Sequence, residues 1–424
     1  MIRFLFKGLL RDRHRSLFPV ITISIGVLFT VLLQCWITGI LGDMINTNAR
    51  FSTGHVKITT RAYAENADQL PTDLAMIGAE EMLANLKQDY PDMDWVPRIQ
   101  FGGLLDAPDE NGETRTQGTA FGMAVDLLSE ETQEINRLNL AEALIQGSMP
   151  NESGEILLSD DLAQKLEVAP GQTVTLLSST MYGSMAMYNF RVAGTVKFGV
   201  SALDRGAMIL DISDAQLALD MMDAASEILG FNQIGLYNNE EATVLATSYN
   251  EAVVDDKDEF APAMLRLRDQ NDLASMLDYI QSFVTMFISI FILAMGIVLW
   301  NSGLIGGIRR YGEIGIRLAI GEYKGHIYRS MIGESVLIGL FGSCIGTALG
   351  LGVAWLLQTY GFSVGDYMKN ATIMMPNTFR AQITSTAYYI GFIPGLFATI
   401  LGTSLSGVGI YRRQTAQLFK ELEA

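Results

Sequence analysis

Four stretches of the chain carry no charged side chain: Ser16–Gly42, Tyr279–Ile308, Ser335–Gly365 and Ala381–Tyr411. Each supplies the ~20 apolar residues that cross ~30 Å of hydrocarbon as a helix, whose backbone polar groups are all paired internally. Four transmembrane helices are expected, over 17–42, 271–304 (with a projecting stalk), 331–358 and 387–410. Residues 43–270 instead mix short β-rich runs with helical ones. Strands are expected at His55–Thr60, Trp95–Leu105, Thr116–Val125, Glu155–Leu158, Thr173–Ser178, Phe190–Lys197, Ala207–Leu210 and Gln233–Tyr237, with Asn111-Gly112 as a hairpin turn. Helices are expected at Ala79–Gln88, Glu130–Gln146, Asp160–Leu166, Asp214–Met222 and Glu240–Glu251, with Ser159 and Ser213 placed as N-caps. From Met264, Leu265 and Leu267 through Leu273, Met276, Leu277, Ile280, Phe283 and Phe287 the spacing stays helical, which predicts a rigid stalk continuous with the second crossing. The fold class expected is an α-helical membrane protein with four transmembrane helices and a large extracytoplasmic α+β domain between the first and second.

Charge orients this arrangement. The chain is 424 residues long, 49% apolar and 18% charged, with a formal net charge of −17. That balance disfavours nucleic acid as a partner and hides an asymmetry. Residues 43–270 hold 14 Lys+Arg against 37 Asp+Glu, whereas 1–16 carry five basic residues against one Asp and 301–330 carry five against two Glu. Positive flanks stay in the cytoplasm, so 1–16, 305–330 and 411–424 are expected inside, and 43–270 and the short loop 359–386 outside. Residues 1–16 alternate apolar and basic positions and read as an interfacial helix. The first apolar run exceeds a signal peptide's apolar core and lacks an obvious cleavage site, which favours an uncleaved anchor. Cys35 and Cys344 both fall in crossings, leaving the exported domain without a disulfide.

Catalytic patterns are absent from these residues. There is no G-x-x-x-x-G-K-[ST] loop, H-E-x-x-H, C-x-x-C or G-x-S-x-G, and His14, His55 and His326 are scattered. No catalytic residue, metal site or cofactor bound by this chain is expected. The acidic pairs Asp160/Asp161, Asp255/Asp256 and Asp258/Glu259 read as solvated surface, and Met181, Met185 and Met187 beside Tyr182 and Tyr188 read as packing or a soft contact. Gly342, Gly346 and Gly350, at four-residue intervals in the third crossing, let helix backbones approach closely, within the chain first and against a second permease as the alternative. Gly391 and Gly395 do the same in the fourth, and Pro394 is expected to kink it.

The most specific stretch lies between the second and third crossings: Arg309-Arg310, then Glu313-Ile314-Gly315-Ile316-Arg317-Leu318-Ala319, Gly321 and Glu334-Ser335. On a helix Glu313 and Arg317 are one turn apart, beside an apolar stripe of Ile314 and Leu318. Such a helix suits docking into a partner's cleft or lying as an ordinary interfacial loop. In content and order this stretch resembles the signature of MacB/FtsX-type ABC permeases. Gly8-Leu9-Leu10-Arg11, Ile23-x-Ile25-Gly26-Val27, Ser159 through Ala163, Pro170-Gly171-Gln172-Thr173-Val174, Phe190-x-Val192-Ala193-Gly194 and Arg412 through Ala416 extend the resemblance along nearly the whole chain. Gly54-His55-Val56-Lys57-Ile58 looks like the start of the exported domain in lipoprotein-releasing LolC/LolE-type members.

The resemblance implies a non-catalytic permease subunit of the bacterial inner membrane. Its expected partners are a second permease, the same chain or a paralogue, and separate ABC ATPase subunits that bind ATP and Mg. Glu313, Ile314, Gly315, Arg317, Leu318 and Gly321 become the ATPase-coupling segment. Its expected cargo is a lipoprotein or another amphiphile, which could pass to a periplasmic lipoprotein chaperone. Trp36, Ile40, Met44, Met276, Ile280, Phe283 and Phe287, apolar and near the outer face, are the candidate cargo-contacting wall. MacB-like mechanotransmission of periplasmic substrates and FtsX-like regulation of a cell-wall hydrolase are the alternatives.

Overall fold

The computed structural model describes residues 13–109, 112–232, 237–253, 258–270, 273–308, 311–363 and 378–412. Most of the helix expected at 1–16, nearly all of the tail, half of the outer loop, the pair Arg309-Arg310 and Asn111 of the expected hairpin turn lie outside them, as does most of the strand expected at Gln233–Tyr237. The chain divides into two compact units, one of Met1–Gly42, Tyr279–Phe362 and Phe379–Ala424, the other of Asp43–Asp278 and Ser363–Thr378.

Among the described residues, four helices are long and apolar enough to cross a membrane: Leu17–Thr53, Leu273–Ile305, Lys324–Tyr360 and Ser385–Val408. The first runs through α1 (Arg13–Asn48) and the π-helical turn Ala49–Thr53, and the second lies in α2 (Leu273–Ile308). Between the second and the third comes α3 (Tyr311–Ala319), and the third is α4 (Lys324–Tyr360). The fourth is composite: a 3-10 turn at Ser385–Tyr388, a π-helical segment at Ile393–Ala398 with Pro394 in its first turn, and α5 (Thr399–Arg412). A proline cannot donate to the preceding turn, and the wider π turn absorbs the missing bond. Ile23, Val27, Val31, Leu299, Ile338 and Ile390 bring all four together in one buried cluster.

The second unit is built on a ten-stranded sheet. Its strands are β1 (Val56–Thr60), β2 (Met93–Pro108), β3 (Thr114–Val125), β4 (Leu144–Gly147), β5 (Glu155–Ser159), β6 (Thr173–Ser179), β7 (Met185–Val196), β8 (Ala207–Asp211), β9 (Glu227–Asn232) and β10 (Pro262–Arg266). Their order is β10-β1-β9-β2-β3-β8-β5-β7-β4, with β6 pairing β2 and β7. Most pairs are antiparallel; β3–β8 and β5–β7 run parallel. Successive residues of β5 and β8 point to opposite faces and are buried on both. Ile156, Leu158, Met208 and Leu210 join a core with Phe101, Leu162 and Phe190, while Leu157 and Ile209 join one with Val125, Leu140 and Val196. The helices Ala79–Asp89 and Asn239–Ala252 close a third core over β1, β9 and β10.

Three local expectations are corrected. The helix expected over Glu130–Gln146 is two single turns, Glu134–Arg137 and Leu140–Ala143, followed by β4, which pairs antiparallel with β7. Met264 and Leu265 belong to β10 and not to a stalk helix, because β1 pairs with that run residue by residue, Ile58 opposite Met264; the helix starts at Leu273. The cap expected at Ser213 is Asp211, whose carboxylate accepts from the Ser213 amide at 2.9 Å, and Ser159 occupies its cap position without a side-chain bond to the helix.

Candidate functional site

The segment between the second and third crossings is a short helix with a defined end. Gly321 sits at φ +97°, a left-handed conformation that only glycine adopts without strain. Its amide donates to Leu318 O and the Glu322 amide to Arg317 O, both at 3.1 Å, the paired bonds of a Schellman stop. The stop brings Glu322 beside Arg317, whose Nε and Nη2 fork onto its carboxylate at 2.7 and 2.8 Å. The guanidinium holds the Glu322 carboxyl below the usual carboxylate range, and His326 Nε2 lies 3.7 Å from the same carboxylate. Arg317 therefore takes its ion-pair partner from beyond the helix and not from Glu313 one turn back.

The apolar stripe also differs from its expected use. Ile314 is buried, with Leu318 half-buried, against Ile327 and Met331 at the start of α4, and Gly315 is buried too. What α3 and its stop expose is a second apolar set, Ile316 at 48%, Ile320 at 83% and Tyr323 at 85%. Periodicity put Ile314 and Leu318 on one face without saying what that face meets. The signal for the second set was available: Ile316 and Ile320 are also four apart.

In the crossings, the glycines of α4 face α1. A Cβ on Gly342 would lie 2.7 Å from Ile23, one on Gly346 2.5 Å from Ser24 O, and one on Gly350 3.0 Å from Val31. The α4 glycines thus serve packing within the chain. Gly391 would meet Val27 at 2.5 Å and Gly395 the same side chain at 2.6 Å, so helices 1, 3 and 4 share one close seam, crossed by a bond from Ser24 Oγ to Gly342 O at 3.1 Å.

The seven candidate wall residues divide by unit. In the first, Phe283 and Phe287 are exposed at 62% and 47% and stack at 6.4 Å, on an α2 face that also exposes Tyr279, Met286 and Ile290. Ile40 and Ile280 are half-buried, and Trp36 makes an edge contact with Phe362. In the second, Met44 is buried, and Met276 packs with Ile45, Ala49, Phe231 and Leu273. The exposed α2 face is therefore available to a ligand or a second subunit, and Met44 is not.

Sequence reasoning missed a buried ionic joint in the exported domain. After α1 the chain turns through a π-helical segment, Ala49–Thr53. Arg98 of β2, fully buried, donates through Nη1 to Arg50 O in that turn at 2.7 Å and through Nε to Glu134 at 2.9 Å. Arg137 bridges Glu134 and Asp94 and lies 4.2 Å over the Phe231 ring. Beside it His55 Nδ1 accepts from the Asn232 amide at 3.0 Å, and burial with the Arg137 charge lowers its pKa to about 4. Lone charges scattered from 50 to 137 carry no local pattern, so nothing in the sequence marks them. Among the described residues no group of His, Cys, Asp and Glu could hold a metal ion.

Comparison with known proteins agrees with this architecture. Residues 16–280 match the MacB-like periplasmic core domain and residues 285–415 the FtsX-like permease C-terminal region. An uncharacterised ABC transporter permease of Methanocaldococcus jannaschii is 26% identical over 234 residues, 53% of this chain and 55% of its own. The macrolide export ATP-binding/permease protein MacB of Brucella abortus is 30% identical over 132 residues, 31% of this chain and 20% of its own. The chain thus spans about half or less of the length of the curated relatives it matches. The periplasmic region of MacB from Actinobacillus actinomycetemcomitans aligns with 53% of this chain and 94% of its own, at TM-score 0.35 and 12% identity. With the larger family match covering well over half of its residues, this chain belongs to the MacB/FtsX-type ABC transporter permeases, multi-pass membrane proteins with a large periplasmic domain.

Proposed function

We propose that the chain is the permease subunit of an ATP-driven transporter in the bacterial inner membrane, pairing with a second permease and relaying strokes from an ABC ATPase that binds ATP and Mg. The observation that carries this reading is the preformed shape of α3. An inner face locked on α4, a glycine stop and a forked ion pair hold Ile316, Ile320 and Tyr323 outward as a rigid apolar edge. A rigid edge transmits displacement, and exposed apolar side chains at a cytoplasmic loop gain from cover by a partner. Charge reversal at Glu313 and Arg317, or Ile320→Ser with Tyr323→Ser, should abolish stimulation of the ATPase by the permease while membrane insertion is retained. Unchanged stimulation would refute the assignment.

The cargo we propose is a lipoprotein or another amphiphile taken from the outer leaflet, with its acyl chains against the exposed α2 face around Phe283 and Phe287. Photocrosslinkers there should capture acylated cargo, and equal capture at lipid-facing controls such as Leu349 counts against it. The MacB relatives support a second reading, in which the same strokes move a periplasmic substrate without passage through the bilayer. Crosslinkers on α2 would then find the second permease and no acyl chain. Copurification with a cell-wall hydrolase would instead favour an FtsX-like regulatory role.

A further inference from the structure

Beside the buried joint the exported domain holds an open cavity of ≈ 710 Å3, walled by α1 and its π turn, the helix Ala79–Asp89, the turn at Glu134–Arg137 and the end of β9. Its size is that of a small-molecule site. The carboxylate in its wall, Asp94, is bound to Arg137. Asn232, His55, Arg137 and Trp95 have partners of their own, whereas Arg50 and Lys87 have no acidic partner among the described residues, and the side-chain amides of Asn46, Gln133 and Asn136 make no hydrogen bond within them. Two unpaired cations and three free amides converge on one cavity, in a domain whose residues 43–270 carry 37 acidic side chains against 14 basic. Phe231, Trp95 and Met93 give the same wall an apolar part.

That combination matches an anion carried on an apolar body. Free cations and amide N–H groups supply charge-assisted bonds to a phosphate, whose charge is diffuse enough to be shared among several donors. Two facts separate a lipid headgroup from a soluble anion. The acidic domain repels free anions before they reach the cavity. Asn46 also stands four residues after Gly42, where the first charge-free run ends, which is about 6 Å of helix and within the depth of the headgroup layer. We propose that this cavity binds the phosphodiester of an anionic lipid headgroup, with Arg50 and Lys87 as its ionic contacts and Asn46, Gln133 and Asn136 as donors. The site is independent of the cargo and of the ATPase reading.

Native mass spectrometry of the full chain, released from detergent with phosphatidylglycerol or phosphatidylcholine, tests it. The wild type should retain phosphatidylglycerol in preference, and Arg50→Gln and Lys87→Gln should each lower its apparent affinity by about tenfold. Arg50→Lys should restore most of the loss, and Lys165→Gln, an exposed lysine outside the cavity, should change nothing. Equal retention of the two lipids, or undiminished phosphatidylglycerol retention in the Arg50→Gln/Lys87→Gln double variant, overturns the site. Displacement of phosphatidylglycerol by millimolar inorganic phosphate overturns the lipid as the source of the anion.

Discussion

Replacing Arg98 with methionine tests whether the buried joint holds the exported domain to the end of α1. Arg98 is 0% exposed and Glu134 1% exposed. The substitution removes two contacts to Glu134, at 2.8 and 2.9 Å, and the 2.7 Å bond to Arg50 O. Losing one partner of a buried ion pair costs about 3–5 kcal/mol, since the other charge stays buried. Arg137 still neutralises Glu134 here, which moves the ionic part to the low end, while the orphaned Arg50 carbonyl adds about 1–3 kcal/mol. A net loss of about 4–6 kcal/mol in a unit of this size lowers the unfolding midpoint by roughly 8–24 °C. Scanning fluorimetry of the full chain in detergent reads this directly. Adding Glu134→Leu to Arg98→Met removes the stranded carboxylate, so the double variant should recover part of the loss and the cycle should show coupling above about 1 kcal/mol. A single variant melting within about 1 °C of wild type, or a double variant as unstable as the two singles summed, would refute the reasoning.

Three further outcomes follow from the geometry. Gly321→Ala forces a side chain into left-handed backbone at a cost of about 1 kcal/mol and loosens the Arg317–Glu322 fork, so ATPase stimulation should fall while expression and insertion hold. Gly346→Leu should destabilise the crossings by about 1–3 kcal/mol, because its Cβ already meets Ser24 O and Val27, whereas Gly352→Leu, which meets nothing within 4 Å, should be neutral by thermal unfolding. His55, with its pKa lowered to about 4 from 6.5, takes up its proton in the unfolded chain first. Stability should therefore be full above about pH 6.5 and fall as pH drops toward 4, by up to about 3 kcal/mol, and His55→Asn should flatten that part of a pH–stability curve.

Composition alone was enough to read the crossings, since a helix in hydrocarbon needs only length, apolarity and the absence of charge. The strands β5 and β8 were legible for a related reason: burial on both faces makes them continuous apolar runs. The glycine stop at Gly321 could be sensed in the motif, because a left-handed helix end is a local demand. What tertiary structure decided were the choices that depend on a distant partner. Leu144–Gly147 and Pro262–Arg266 became strands because β7 and β1 had edges to pair. Ile314 turned inward because Ile327 and Met331 lay beneath it, leaving Ile316, Ile320 and Tyr323 outside. Arg98 met Glu134 across 36 residues of chain and Arg50 across 48. Periodicity states which residues share a face and composition states how much must be buried. Neither contains the identity of the surface opposite, because that contact exists only once the chain has closed on itself.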